Sequence, residues 1–178
     1  SETKTFLEPK KIFDAVSLDR GSIVADFGSG AGHFSLEAAR RVGAEGKVYA
    51  LDILPQALES IASRAAMENL DNIETRRVNF ETPGGSTLED ASVNFAVVKD
   101  ALFMNENREA VLEEVFRVLS LGSRILVIEW SEGDVSIGPP KENRIPKEHL
   151  LKMAGSVGFS GEQEVAVGDY HYGMVFRK

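Results

Sequence analysis

Apolar runs of strand length alternate along this chain with segments whose apolar residues recur at helical spacing. The runs that predict strands cover residues 23–27, 47–52, 73–79, 93–98 and 124–129. The segments that predict helices are 9–16, one beginning near residue 33, 55–68, 108–119 and 146–157. Within the segment 55–68, for example, Leu58, Ile61 and Ala65 share one helix face. Alternation of strands and helices favours a parallel sheet with helices on both faces.

The last part of the chain has a different pattern. Two apolar runs, 165–167 and 170–176, are separated by Gly168-Asp169, a dipeptide typical of a two-residue hairpin turn. We therefore predict an α/β fold with a seven-stranded, mostly parallel sheet and an antiparallel strand in a C-terminal hairpin. The sequence has no internal repeat, linker or low-complexity tract, so we expect residues 1–178 to form a single domain.

Composition and charge narrow the range of functions. Of the 178 residues 43% are hydrophobic, which is enough for one core, and none is cysteine. The absence of cysteine excludes disulfides, a thiolate nucleophile and cysteine zinc sites, and it fits a cytoplasmic location. No apolar run approaches the roughly 20 residues of a membrane span, and nothing resembles a secretion leader. The net charge of −8 argues against nucleic acid and anionic membranes as partners.

Three glycines follow the first predicted strand and indicate a ligand loop. Gly28, Gly30 and Gly32 allow a sharp turn and a close approach of the backbone to a ligand. The dinucleotide fingerprint G-x-G-x-x-G would need a glycine where His33 stands, and no phosphate-loop motif is present. Asp26 adds a negative charge that disfavours a pyrophosphate and favours a cationic ligand.

A second acidic residue, Asp52, ends the second predicted strand. It follows Gly28 by 24 residues, close to the spacing at which an acid binds the ribose hydroxyls of a nucleotide. Together with the glycine loop and Asp26, this residue indicates a cationic ligand that contains adenosine and little or no phosphate.

These motifs resemble those of a known family. The segment Asp26-x-Gly28-x-Gly30-x-Gly32 resembles motif I of the class I S-adenosylmethionine-dependent methyltransferases, and Leu51-Asp52-Ile53 resembles their second motif. The resemblance covers residues 7–178 and is strongest to small UbiE-like methyltransferase domains, related to quinone-biosynthesis C-methyltransferases. It implies a Rossmann-like fold, S-adenosylmethionine as cofactor, and in-line transfer of its methyl group to a small-molecule acceptor.

The resemblance also implies roles for individual residues. The three glycines of motif I line the methionine and ribose part of the cofactor, and Asp26 lies near the methionine ammonium group. Asp52 binds the ribose hydroxyls, and Ile53 packs on the adenine.

Two further strand ends have implied roles. After the third strand, family members commonly carry an aspartate for the adenine amino group, whereas this chain has Asn79 and Phe80. The Asn79 amide oxygen can accept that proton, and Phe80 can offer its backbone N–H. After the fourth strand, Lys99 and Asp100 are implied to line the methyl-transfer face.

Each of these residues also has a purely structural interpretation. The glycines form a tight turn, Asp52 ends a solvated strand, Ile53 and Phe80 belong to the core, Asn79 is a turn residue, and Lys99 and Asp100 form a surface ion pair. The three histidines, His33, His149 and His171, are expected to pack or lie on the surface, and their spacing predicts no metal site.

The catalytic residue stays unassigned at the level of sequence. If a proton must leave the acceptor, Asp100, Glu129 and His33 are candidates, and Trp130 is placed to close over a substrate. The stretch 131–144 is the expected substrate loop, and because it is short, the pocket is either open or completed by a second subunit of a homo-oligomer. Three alternatives remain: an RNA or protein methyltransferase, a non-catalytic S-adenosylmethionine-binding module, and an NAD-dependent oxidoreductase, which His33 and the hairpin disfavour.

Overall fold

The computed structural model describes residues 5–133 and 136–178. The first four residues of the predicted domain and positions 134 and 135 of the predicted substrate loop lie outside the described residues. Within the described ranges the helices are α1 (Pro9–Ala15), α2 (His33–Val42), α3 (Pro55–Met67), α4 (Arg108–Val118) and α5 (Lys147–Val157). The strands are β1 (Ile23–Phe27), β2 (Lys47–Asp52), β3 (Ile73–Arg77), β4 (Val93–Lys99), β5 (Leu119–Trp130), β6 (Ser160–Val165) and β7 (His171–Arg177).

The described strands form one seven-stranded sheet in the order β3-β2-β1-β4-β5-β7-β6. Strands β1 to β5 are parallel, β7 is antiparallel to β5, and β6 is antiparallel to β7. The predicted Rossmann-like fold, with its mostly parallel sheet and antiparallel C-terminal strand, is confirmed. That residues 1–178 form a single domain stays a prediction.

Two hydrophobic cores lie on opposite faces of the sheet. Alternate residues of β1 point to opposite sides, so Val24 packs with Phe13 and the α2 side chains, whereas Phe27 packs with Leu112 of α4. Helix α3 contacts α2 and covers β2 and β3, and α5 packs beside α4. Burial on both faces explains the near-continuous apolar runs of the central strands. Among the described residues, no helix combines the length and hydropathy that a membrane crossing requires.

Residues suited to ligand binding or acid–base chemistry lie together at one edge of the sheet. The carboxyl ends of the parallel strands β2, β4 and β5 place Asp52, Lys99 and Trp130 at this edge. Because β7 is antiparallel, its first residue, His171, lies at the same edge and pairs with Trp130. The strand order reverses between β1 and β4, and ligands of such sheets bind outside the carboxyl ends at this reversal.

The boundary between α4 and β5 differs from the prediction. The helix was expected to reach residue 119 and the strand to begin at 124, but the chain passes directly from Val118 of the helix into a strand that starts at Leu119. Leu119 is fully buried in the strand, so its apolar character does not require a helix. It pairs with Val93, and the strand is irregular near Gly122, whose φ is 82°.

The hairpin turn also differs. The expected two-residue turn at Gly168-Asp169 is wrong, because β6 ends at Val165 and β7 begins at His171. The Asp169 N–H instead donates to the Thr5 carbonyl (2.9 Å), and its carboxylate accepts from the Thr5 N–H (2.5 Å). A Cβ atom on Gly168 would lie 2.8 Å from the Thr5 oxygen. The dipeptide therefore holds the N-terminal segment against the sheet.

Candidate functional site

The glycine loop after β1 has left-handed backbone at each of its three glycines, but for different reasons. Gly30 (φ 51°) faces open space, since a Cβ atom there would meet no atom within 4 Å. A Cβ atom on Gly28 would lie 3.1 Å from that of Ala101, and one on Gly32 (φ 85°) would lie 2.4 Å from Cγ1 of Ile61. Gly30 therefore leaves room for a ligand, whereas Gly32 leaves room for helix α3.

Asp52 is held by the loop that it supports. Its Oδ2 accepts the Gly30 N–H at 2.9 Å, and its Oδ1 accepts the Leu54 N–H at 3.0 Å. The residue is only 8% exposed, so the two backbone hydrogen bonds fix the carboxylate plane. Each carboxylate oxygen accepts about two hydrogen bonds, which leaves one acceptor position on each oxygen for a ligand. This arrangement suits a pair of neighbouring hydroxyl groups.

A cavity of about 470 Å³ opens beside Asp52. This volume falls within the range of small-molecule pockets. Seven of the residues predicted for the site line it: Gly28, Gly30, Asp52, Ile53, Asn79, Phe80 and Lys99. The structure thus brings together residues from four strand ends that the sequence singled out, and their contact with a cofactor stays a prediction.

The walls of this cavity differ in how free they are to contact a ligand. Ile53 is 54% exposed and available to pack on a planar group. Phe80 is buried with its ring edge-on to Phe27 (centroids 5.4 Å apart), so it belongs to the core as well as to the cavity wall. The Asn79 Oδ1 accepts the Glu81 N–H at 3.1 Å in a local turn and retains one acceptor position.

A smaller cavity of about 70 Å³ adjoins the first, and Gly28, Gly30 and Lys99 line both. It also contains Asp26 and Gly32. Burial raises the pKa of Asp26 to about 6, although the hydrogen bond from the Ser35 hydroxyl (2.6 Å) and the charge of Lys99 act in the opposite direction. A buried carboxylate whose pKa is raised in this way would be stabilised by a cationic ligand group.

Ser29 is a residue of this smaller cavity that sequence reasoning missed. Its buried Oγ has no hydrogen-bond partner among the residues that the structure describes. A buried hydroxyl without a partner costs about 1–3 kcal/mol, so this position fits a polar ligand atom. Its only signal in the sequence was its place between two loop glycines.

The ion pair predicted after β4 is present and is extended by a histidine. Lys99 Nζ lies 3.0 Å from Asp100 Oδ2, and His171 Nε2 lies 3.0 Å from Asp100 Oδ1. Burial raises the pKa of Asp100, but the hydrogen bond from His171 and the charge of Lys99 outweigh it and hold the pKa below its usual value. The interpretation of His171 as an uninvolved residue is therefore incomplete, because the antiparallel direction of β7 brings it to the site.

Glu129, a sequence candidate for accepting a proton, lies beneath the loop after β4. It is 0% exposed, its Oε1 accepts the Leu102 N–H at 3.0 Å, and its Oε2 has no partner among the described residues. Burial, with a smaller contribution from the Asp100 charge, raises its pKa to about 8. The structure gives Glu129 the role of a support for the loop that carries Asp100.

The raised pKa of Glu129 predicts how stability depends on pH. The folded state binds this proton more tightly than the unfolded state, whose pKa is near 4.5, so stability should fall as pH rises from about 4.5 to 8. Glu129→Gln has no carboxyl group to titrate at this position. Its free energy of unfolding should therefore fall less between pH 5 and pH 8–9 than that of the wild type, by on the order of 3 kcal/mol. Urea unfolding at several pH values measures the effect. The exposed Glu162→Gln is the matched control, and equal pH slopes in both variants would contradict the assignment.

No cluster of three or more His, Asp or Glu side chains suited to a metal ion occurs in residues 5–133 and 136–178. His33 lines the smaller cavity at the start of α2. The acidic residues of the site line cavities that have few cationic side chains, and Lys99 is one of these.

Comparison with known proteins adds independent findings. A family model described as "Methyltransferase domain" matches residues 18–154. The chain is 29% identical over 107 residues to an arsenite methyltransferase of Halobacterium salinarum, covering 60% of this chain and 27% of that protein. It is 28% identical over 113 residues to the ubiquinone/menaquinone biosynthesis C-methyltransferase UbiE of Hydrogenovibrio crunogenus, covering 63% and 43%. The chain thus spans less than half the length of these two relatives.

A solved structure shows the same fold. The crystal structure of a SAM-dependent methyltransferase from Aquifex aeolicus superimposes with a TM-score of 0.87 at 24% identity. The match covers 96% of this chain and 89% of that one, so the two share their fold over nearly the full length of each.

Proposed function

Since the chain belongs to the methyltransferase-domain family of class I enzymes, we propose that it is an S-adenosylmethionine-dependent methyltransferase acting on a small-molecule acceptor. The observation that carries the proposal is the position of Asp52. Its carboxylate is fixed by two backbone hydrogen bonds beside the glycine loop and lines a cavity of about 470 Å³. When bound, S-adenosylmethionine supplies a methyl group on a positively charged sulfur.

The residues present fit such a ligand. Asp52 has free acceptor positions for two ribose hydroxyls, and Ile53 offers an exposed apolar surface to the adenine. Asp26 and the unpartnered Ser29 hydroxyl lie in the smaller cavity, where the amino-acid end would find a carboxylate and a hydroxyl. The two acids at this edge disfavour the pyrophosphate of NAD, because like charges in a partly buried site repel strongly.

A small-molecule acceptor has separate support. A further cavity of about 300 Å³ shares Lys99 with the other two, and four aromatic side chains are among those that line it. The net charge of −8 disfavours nucleic acid. The relatives named for arsenite and quinone-biosynthesis methylation are consistent with a small acceptor. A cytoplasmic location, supported by the absence of cysteine, and a homo-oligomer that completes the open pocket are parts of the same proposal.

The catalytic requirement is mainly one of positioning. Holding two reactants in the correct arrangement can lower a barrier by roughly 7–11 kcal/mol. The residues of this chain that do so are those of the glycine loop, Asp52 and the aromatic cavity, which would fix the donor and the acceptor on either side of Lys99.

Thermal unfolding with added ligands tests the proposal. S-adenosylmethionine at about 100 times its dissociation constant should stabilise the protein by about 2.7 kcal/mol, or roughly 5–10 °C for a domain of this size. NAD should give no shift, and a shift with NAD but not with S-adenosylmethionine would contradict the proposal. A screen with methyl-labelled S-adenosylmethionine then separates the alternatives. Label in small metabolites supports the proposal, label in RNA or protein supports those acceptors, and binding without transfer supports a non-catalytic module.

A further inference from the structure

A cavity of about 300 Å³ shares Lys99 with the cavity beside Asp52, and Asp52 does not line it. Four aromatic side chains line it: Phe6, Phe34, Trp130 and Tyr170. Phe6 and Tyr170 have ring centroids 5.2 Å apart, and the Trp130 ring lies 4.2 Å from that of His171. Aromatic walls of this kind favour a planar, apolar guest, and the volume suits a molecule of one ring.

The imidazole of His171, the first residue of β7, lines this cavity in a fixed orientation. Asp100 is ionised and can only accept hydrogen bonds, so Nε2 of His171 carries the proton that it donates over 3.0 Å. The other ring nitrogen, Nδ1, has no hydrogen-bond partner among the described residues. Contact with the Trp130 ring holds the imidazole plane, and Trp130 is itself held because Gly138 has no side chain in its way.

The backbone conformation of Asp100 supports a defined position for its carboxylate. Its φ of 52° is left-handed, which aspartate tolerates better than most residues. Its N–H donates to the Ile128 carbonyl at 2.9 Å, so the turn is tied to β5, the strand beside β7. Lys99 contacts one oxygen of the Asp100 carboxylate, and His171 contacts the other.

We propose that His171 is the general base of this enzyme, oriented by Asp100, and that the aromatic cavity binds a planar acceptor with a phenol-type hydroxyl group. The inference rests on the proposed function and names its acceptor class. The acceptor O–H bond breaks and its proton passes to Nδ1 of His171. The oxygen electron pair forms the new C–O bond to the methyl carbon, and the electron pair of the broken S–C bond stays on sulfur. The positive charge of the donor thus ends on the imidazolium, beside the Asp100 carboxylate.

The charges around His171 permit this step. Glu132, Lys147 and Glu164 line a cavity of about 450 Å³ that His171 also borders, and Lys147 pairs with Glu164 at 2.7 Å. The charged groups that contact the ring or line a cavity with it are Lys99 and Asp100 of β4 and its turn, Glu132, Lys147, Glu164 and His33. The Arg144 guanidinium lies 5.9 Å from the centroid of the Trp130 ring that contacts His171. The Asp100 carboxylate, which contacts the imidazole directly, favours a transient imidazolium.

The single tryptophan of the sequence, Trp130, allows a test without turnover. Because a protonated imidazole in ring contact quenches indole emission, Trp130 fluorescence should titrate with pH in the protein with bound S-adenosylhomocysteine. In a Glu129→Gln background, which removes the other group beside Trp130 that titrates in this pH range, the titration should be lost in His171→Gln and persist in the exposed His149→Gln. Persistence of the titration in His171→Gln would overturn the assignment of the base.

Binding and transfer with simple probes test the acceptor class. Catechol and phenol should quench Trp130 in the wild type and in His171→Gln, whereas methyl transfer to catechol should fall by roughly 10²- to 10⁴-fold in the variant. His149→Gln should transfer at the wild-type rate. If His171→Gln does not fold, His171→Ala serves instead, and free imidazole should restore its transfer.

The outcomes separate this inference from the proposed function. The inference would be overturned if S-adenosylhomocysteine binds but neither catechol nor phenol quenches Trp130. It would also be overturned if His171→Gln and the wild type transfer methyl groups at the same rate. Both results would leave the proposed function standing. Failure of S-adenosylmethionine and S-adenosylhomocysteine to bind the wild type would overturn both.

Discussion

Replacing Asp52 with alanine is expected to weaken the binding of S-adenosylmethionine by roughly 10- to 150-fold, because a hydrogen bond to a charged group contributes about 1.5–3 kcal/mol. In the free protein the carboxylate is already held by the Gly30 and Leu54 N–H groups, so the wild type spends little entropy in ordering it. Isothermal titration calorimetry of the variant and the wild type measures the difference directly.

Two further variants make the Asp52 result specific. Asp71→Ala removes the same charge from an exposed position just before β3, at the opposite edge of the sheet, and should leave the affinity unchanged. Asp52→Asn keeps the shape of the side chain but replaces one acceptor oxygen with a donor, so it should show most of the loss. Equal affinities for Asp52→Ala and the wild type would contradict the ribose assignment.

Gly32→Ala is expected to lower the free energy of unfolding by about 2–5 kcal/mol, from a left-handed backbone and from overpacking. The new Cβ atom would lie 2.4 Å from Cγ1 of the buried Ile61, at a residue whose φ is 85°. Gly30→Ala carries only the backbone cost, about 1 kcal/mol, since its Cβ atom meets open space. It should, however, weaken cofactor binding, because the added methyl group enters the cavity. Denaturant unfolding and calorimetry separate the two effects.

A double-mutant cycle tests the cause of the Gly32 effect. In an Ile61→Ala background, much of the steric part of the Gly32→Ala penalty should disappear, and the coupling between the two substitutions should be favourable. Strictly additive effects would show that the close approach of α3 to the loop is not what requires glycine at position 32.

Local patterns were sufficient to predict much of the fold. The bounds of β1 and β2 match the apolar runs because both faces of these central strands are buried, which leaves little tolerance for polar residues. Asp52 could be predicted at the ligand edge for a related reason, since a carboxylate that ends a buried parallel strand must lie at the carboxyl edge of the sheet.

Features that depend on distant contacts could not be predicted in this way. Gly168-Asp169 has the composition of a tight turn, and only the position of Thr5 shows that it binds the N-terminal segment instead. His171 is separated from Asp100 by 71 positions, and their hydrogen bond arises from the antiparallel pairing of β7 with β5. An antiparallel last strand begins at the carboxyl edge of its parallel neighbours, so the predicted direction of β7 is itself a sequence signal for His171 at the ligand edge.

Ser29 illustrates a different difficulty. A hydroxyl within a glycine loop is compatible with solvent exposure, with capping of α2 and with ligand binding. Only its burial without a partner in the described part of the chain favours the last of these, and that contact stays a prediction.

The most direct test of the central claim is the crystal structure of the protein with S-adenosylhomocysteine. We expect the ribose hydroxyls within hydrogen-bond distance of both Asp52 oxygens, the adenine between Ile53 and Phe80, and the amino-acid end beside Asp26 and Ser29. A structure in which the nucleoside lies elsewhere, with the cavity beside Asp52 empty, would contradict the account.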